Sequence, residues 1–438
     1  MAKFPVAIVK YDKTLNSLRK AVELCNGFEE LKPNSKVLLK PNIETSGTPS
    51  KLPPYGIVTT SRMVADLIQL LHERGCRDIS IGEGTVVNKE LGTDTPKGYK
   101  WSGIARAAKK YGVKLIDFNK ESYQNVELDG AKIRISSVAL ESEFLINLPV
   151  LKTHCETKVS LGLKNLKGCL DMRSRREFHR KGLERMIALL NTKVKPKLTI
   201  IDGIYALERG PDFIMGTAHR MNLVIAGKDA LSCDIVGSTV LGIEPSSVAH
   251  LKEFAAITGR QLDIGTIDVR GESIKEVTKR LEWRVNLEDV FFRPARIGGV
   301  TFQFLGTSVC SGCHLSVEGA LMAFCKDNKG TDLDNVEICI GSEVKAKKES
   351  KRVFLVGSCA IEANRDLGDA IRIKGCPPKT ADTLLTLMNH TIDKGKARRI
   401  LALRTIKLSL TKLGLYDEDF PLYKHYALPE FDREYFYT

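Results

Sequence analysis

The sequence predicts an α/β protein, a doubly wound and mainly parallel sheet followed by a second, smaller flavodoxin-like α/β unit. Three observations predict it. Short β-rich runs alternate with stretches of helical apolar spacing from the N-terminus onward. Polar or glycine-rich loops follow those runs, where an open parallel sheet forms its ligand site. Four further short runs crowd into the chain after residue 297.

In order, Val37 to Ile43 reads as a buried strand ending in a loop. Ser61 to Cys76 places Met63, Val64, Leu67, Leu70 and Leu71 at helical spacing. Asp78 to Gly84 is the next strand, a helix covers Ile104 to Tyr111, and Val113 to Asp117 is another strand. Glu143 to Val150, Leu198 to Asp202 and Asn222 to Ala226 follow as strands. Residues 255–296 are charged and read as a lid or connector, closing a first domain over 1–296. The second domain spans 297–412, with strands at 301–305, 336–340, 353–356 and 370–374 and a helix from Thr380 to His390. Residues 413–438 are an aromatic and acidic tail that packs across a domain surface or docks a second subunit.

Of 438 residues, 67 are Lys or Arg and 53 are Asp or Glu, a formal net charge of +14. That surplus favours acidic partners. Basic residues concentrate at Arg173, Arg175, Arg176, Arg180 and Lys181 and again at Lys394, Lys396, Arg398 and Arg399. Few aromatics are interleaved as stacking platforms, so nucleic acid is set aside. No stretch approaches the roughly 18 apolar residues of a membrane span, and the N-terminal apolar run is too short for a secretory signal. A cytoplasmic protein without a membrane span is expected.

The 11 cysteines are the most informative residues. An odd number without an export signal argues against a disulfide framework. Cys25, Cys76, Cys155, Cys169 and Cys233 sit in apolar or helical contexts and read as core. Six more crowd into the final third. Four of them, in Cys310-Ser-Gly-Cys313, Gly357-Ser-Cys359 and Gly375-Cys376-Pro-Pro, follow expected strands as loop residues. Loops at one end of a parallel sheet can converge, and four thiolates suit a 4Fe–4S cluster or a tetrahedral zinc. Zinc ribbons use two C-x2-C knuckles and only one is present, which favours the cluster.

Those three landmarks, in that order, resemble the small subunit of nickel–iron hydrogenases and the homologous twenty-kilodalton subunit of respiratory complex I. The resemblance covers about residues 300 to 390 and implies a flavodoxin-like iron–sulfur domain. Carried over, Cys310, Cys313, Cys359 and Cys376 hold one 4Fe–4S cluster. Cys325 and Cys339 match nothing in that pattern and read as core. The nickel-ligand cysteine pairs of the hydrogenase large subunit are absent, so hydrogenase activity does not follow.

The densest polar motif of the first domain is Lys152-Thr153-His154 with Lys164-Asn165 beyond it. Such a set can hold an anion and move a proton. His154 is the expected proton carrier, with Lys152 and Lys164 beside it as catalytic residues. Lys40, Asn42, Glu83, Thr153, Asn165 and Asp202 complete a substrate-binding set at strand ends, and Glu83 and Asp202 could support a divalent metal. Asp229 and Asp234 open a later helix. No Walker loop is present, the Gly82-Glu83-Gly84 loop is not a dinucleotide fingerprint, and no Ser-His-Asp or Cys-His nucleophile can be assigned.

Lys-Pro-Asn, the Gly-Glu-Gly loop, Leu-Pro-x-x-Lys-Thr-His with Leu-Lys-Asn-Leu-Lys-Gly, and Asp-Gly followed by Gly-Pro resemble the family called domain of unknown function 362. The resemblance runs over about residues 5 to 245. That family lends no general activity, and many members carry ferredoxin-like C-x2-C-x2-C repeats. This chain lacks them, which leaves one cluster.

The expected function is an oxygen-sensitive iron–sulfur oxidoreductase of anaerobic metabolism. Its cluster exchanges electrons with a small anionic substrate or cofactor, fed by a ferredoxin-like donor protein, in a monomer or oligomer. The alternatives are a non-catalytic electron-transfer or metallocentre-maturation subunit, and a non-redox lyase, racemase or zinc-stapled enzyme.

Overall fold

The computed structural model describes residues 4–45, 54–87, 92–211, 216–304, 308–347, 349–392 and 429–438. The basic residues at 394–399 and the first part of the tail, 413–428, lie outside the described residues. The chain divides into two units, Met1–Trp283 with Leu415–Thr438, and Arg284–Gly414.

The larger unit is built on strands β1 (Phe4–Lys10), β2 (Val37–Pro41), β3 (Ile79–Glu83) and β4 (Lys114–Asp117), a hairpin of β5 (Tyr123–Leu128) with β6 (Ala131–Ser136), then β7 (Phe144–Leu148), β8 (Val150–His154) and β9 (Lys158–Ser160), and finally β10 (Leu198–Glu208), β11 (Thr217–Gly227) and β12 (Ile267–Gly271). The main sheet runs β12-β1-β11-β10-β7-β2-β3-β4, with β8 attached to β10 and β9 to β8. From β10 to β4 every neighbour is parallel, while β11 is antiparallel to both β1 and β10.

Both faces of this sheet are covered, which is why its strands read as continuous apolar runs. Successive residues of one strand enter opposite cores. Leu38, Leu145, Ile201 and Ile225 join Phe178, Met186, Ile187, Leu231, Ile235 and Leu251 from the helices Met172–Lys181, Leu183–Lys193, Ala230–Val240 and Ala249–Thr258. Val37, Leu39, Ile146, Ile200 and Val224 join Leu18, Met63, Leu67, Ile104 and Ala108 from the helices Leu15–Leu24, Ser61–Glu73 and Ile104–Tyr111. The doubly wound, mainly parallel α/β class is therefore realised. Residues 267–271, expected within a lid or connector, instead form β12 and pair in parallel with β1.

The end of the tail completes the second of these cores. Phe431 and Phe436 are buried there against Tyr55 and Tyr205. The Tyr55 hydroxyl donates to the Phe431 carbonyl at 2.9 Å and the Tyr205 hydroxyl to the Asp432 carbonyl at 2.8 Å. The described end of the tail, residues 429–438, thus packs across the larger unit itself.

The smaller unit is a four-stranded parallel sheet, β13 (Gly298–Phe304), β14 (Asp332–Ile340), β15 (Arg352–Val356) and β16 (Ile371–Ile373), in chain order. Helices Ser311–Asp327, Gly357–Ala363 and Thr380–Thr391 intervene or follow. The α/β class is as expected, but among the described residues the strand order lacks the reversal of a flavodoxin-type sheet. Cys325 and Cys339 are buried, and burial pushes both thiols up to about 12. Among the described residues of the whole chain, no helix is long and apolar enough to cross a membrane.

Candidate functional site

The parallel strands of the larger unit end in one buried polar network. Lys40, next to last in β2, has no exposed surface. Its ammonium donates to Glu83 Oε2 at 2.6 Å, to the Pro41 carbonyl at 2.8 Å and to Asn165 Oδ1 at 3.3 Å, using all three of its protons. Glu83, the last residue of β3, also accepts from the backbone N–H groups of Ile43 and Gly84. Asn165 ties three elements together. Its Oδ1 accepts from Asn42 Nδ2 at 3.1 Å, and its Nδ2 donates to Asn147 Oδ1 at 2.8 Å. Asn147 then donates to the Gly162 carbonyl. Sequence reasoning missed Asn147, which faces this network from inside a strand that reads as purely apolar.

The Lys-Thr-His motif lies on β8, equally out of water. Lys152 donates to Glu44 Oε2 at 3.0 Å and to the Ile57 carbonyl at 2.9 Å. The Thr153 hydroxyl shares its one proton between the carbonyls of Leu207 and Glu282. His154 is 1% exposed, and its Nδ1 accepts from the backbone N–H groups of Glu156 and Thr157. That nitrogen is therefore unprotonated. Asp202 Oδ2 accepts from the backbone and hydroxyl of Thr60, and Oδ1 from the Ile204 N–H. Thr60 caps the helix Ser61–Glu73, so Asp202 anchors a helix start. Burial pushes the Asp202 carboxyl up to about 6. The oxygens of Glu83 and Asp202 each accept from protein donors.

Lys164 differs from these residues in being only half-buried. It sits on the short helix Gly162–Asn165, whose first two N–H groups donate to Asp234 at 2.6 and 2.9 Å. Burial pushes Asp234 up to about 7 despite those bonds. The Lys164 amine is pushed down to about 8, first by burial and then by Lys152, with Glu44 and Glu156 opposing. Beside it runs a chain that sequence reasoning did not find. Lys167 Nζ lies 2.8 Å from His179 Nε2, and His179 Nδ1 lies 3.0 Å from Glu156 Oε1. Glu156 and His179 stand 23 positions apart on a loop and a basic helix, so no spacing pattern joins them.

In the smaller unit the four expected cysteines gather where the parallel strands end. Cys310 stands at the residue before the helix Ser311–Asp327 and Cys313 lies in its first turn. Cys359 lies in the first turn after β15, and Cys376 follows β16. Cys313 and Cys359 thus occupy first helical turns rather than loops, and at Cys359 the strand passes directly into the helix. The Cys313 thiol is pushed up, first by its hydrogen bond with Cys310, then by burial, then by the neighbouring charges of Cys310, Cys359 and Cys376. Cys359 is likewise raised, by burial and then by Cys376 and Cys310. Among the described residues, no three His, Cys, Asp or Glu side chains stand close enough to hold a single metal ion.

Residues 37–239 match the family model described as Domain of unknown function (DUF362). Every residue of the strand-end network lies inside that segment, and the cysteine-bearing unit lies outside it. The chain is also similar to a thylakoid-associated protein of Synechocystis sp., with 27% identity over 242 residues, 53% of this chain and 72% of that protein. The structure of the lactate racemase apoprotein from Thermoanaerobacterium thermosaccharolyticum aligns over 93% of this chain and 90% of that one, at 10% identity and a TM-score of 0.36. At that score the likeness carries no inference about chemistry.

Proposed function

We propose that this chain is an iron–sulfur oxidoreductase that holds one 4Fe–4S cluster on Cys310, Cys313, Cys359 and Cys376. The observation that carries this reading is the gathering of four cysteines at one end of a single parallel sheet, with three of their charges felt at the fourth. Four such thiolates repel one another unless a cationic group lies among them. When bound, the cluster supplies a one-electron redox centre. A tetrahedral zinc would hold its sulfurs about 3.8 Å apart, from a Zn–S bond near 2.3 Å. A cuboidal cluster spreads its four thiolates wider.

Glycines leave room around these sulfurs. A Cβ on Gly357 would stand 3.3 Å from Cys313 Sγ, and one on Gly312 the same distance from the Pro377 ring. Cys310 and Cys313 face the start of a 17-residue helix, whose N–H groups favour a negatively charged group. The larger unit binds the small anionic substrate or cofactor at its strand ends, with Lys164 a half-buried lysine beside them. Lys40, Asn42, Glu83, Asn165, Lys152, Thr153 and Asp202 hold that edge rigid, His154 keeps its imidazole neutral at Nδ1, and a ferredoxin-like protein supplies electrons.

The test is metal and sulfide analysis of the chain purified without oxygen. About four iron and four sulfide per chain support the reading. About one zinc and no iron overturn it and leave a metal-stapled α/β protein.

A further inference from the structure

The lysines at the strand ends of the larger unit are not equivalent. Lys40 and Lys152 have no exposed surface, and each donates to a carboxylate and to a backbone carbonyl. Lys167 contacts His179. Lys164 alone of these four is only half-buried as a residue and yet has no hydrogen bond or ion pair to its amine among the described residues. Its backbone is nevertheless fixed. Asp234 holds Gly162 and Leu163 on one side, and Asn165 is locked into the Lys40–Asn147 network on the other.

An amine held rigidly, partly desolvated and without a hydrogen-bonded partner of its own is arranged to react rather than to pair. The groups that sense its charge are Lys152, Glu44, Glu156 and Cys155, with Glu184 and His250 beyond them. His250 is fully buried on the helix Ala249–Thr258 and kept neutral, with both ring nitrogens unpartnered, so it adds no charge beside Lys164. Glu44 and Glu156 are engaged by Lys152 and by His179.

We propose that Lys164 is a nucleophilic amine that condenses with a small aldehyde or ketone carrying an anionic group. The neutral nitrogen attacks the carbonyl carbon, the C–N bond forms, and the carbonyl oxygen leaves as water with the two protons of the amine. The product is an imine, and no oxidant or reductant is consumed. This substrate class rests on the reading that the larger unit takes a small anionic compound.

The test uses pyridoxal 5′-phosphate, an anionic aldehyde, on the full chain purified without oxygen. The imine is fixed with borohydride and mapped by peptide mass spectrometry across a pH series. The expected result is labelling concentrated at Lys164, with a rate that levels off above about pH 8. At pH 8 it should exceed that of an ordinary lysine by about a hundredfold, from the neutral fractions of the two amines. Labelling spread over exposed lysines without enrichment at Lys164 would overturn the proposal. Iron is counted on the same sample, so failure of labelling with four irons present refutes the amine alone. Selective labelling of an iron-free chain refutes the cluster alone.

Discussion

The Lys40 ammonium lies 2.6 Å from Glu83 Oε2, with the two side chains only 1% and 3% exposed. An ion pair this deep holds the ends of β2 and β3 together, but its worth lies in neither partner being left alone. Removing one leaves an unpaired buried charge, whereas replacing both with apolar groups of similar size is often nearly neutral. Lys40→Met should therefore cost about 3–5 kcal/mol of unfolding free energy. The double variant Lys40→Met with Glu83→Leu should recover most of it, as read by urea denaturation in a double-mutant cycle.

Gly168 backs directly onto this pair. A Cβ there would stand 2.6 Å from Lys40 Nζ and closer still to Glu83 Oε1. Neither head group can yield without losing the other, so Gly168→Ala should destabilise by about 3 kcal/mol, comparable to breaking the pair. A melting temperature equal to that of the unsubstituted chain would show that the pair has slack.

Asp234 gives a pH signature. Its carboxyl is raised by burial to about 7, so the folded chain keeps a proton between about pH 4 and pH 7 that the unfolded chain releases. Stability from this group is complete below pH 4 and is lost as pH rises through 7. Asp234→Asn should flatten that decline while losing stability at every pH, because an amide nitrogen cannot accept from the Gly162 or Leu163 N–H. Urea melts of both proteins from pH 4 to pH 8 read the difference in slope.

The cysteines divide by environment. Cys25 is buried, and burial pushes its thiol up to about 11, whereas Cys376 is exposed beside Cys359 and Cys313. Cys376→Ser should lose iron and the cluster's visible absorbance, while Cys25→Ser keeps both. Full absorbance in Cys376→Ser would show the ligand assignment to be wrong.

Much of this architecture is legible in the residues. Val37 to Pro41 and Phe144 to Leu148 are buried on both faces and so read as unbroken apolar runs. Lys40, Asn42, Glu83 and Asn165 stand out as polar residues closing such runs, and the fold brings all four into one network. The hairpin β5–β6 was hidden because its exposed positions carry ordinary polar residues. The helix Met172–Lys181 was hidden because only Ser174, Arg175 and Phe178 of its ten residues are buried. The pairing of Glu156 with His179 depends on where that helix lands, which local pattern cannot encode.

The measurement closest to the central claim is electron paramagnetic resonance of the anaerobically purified chain after dithionite reduction. A bound cluster gives an S = 1/2 signal that integrates to about one spin per chain, accompanied by about four irons. A chain that stays silent on reduction and carries about one zinc instead of iron would contradict it.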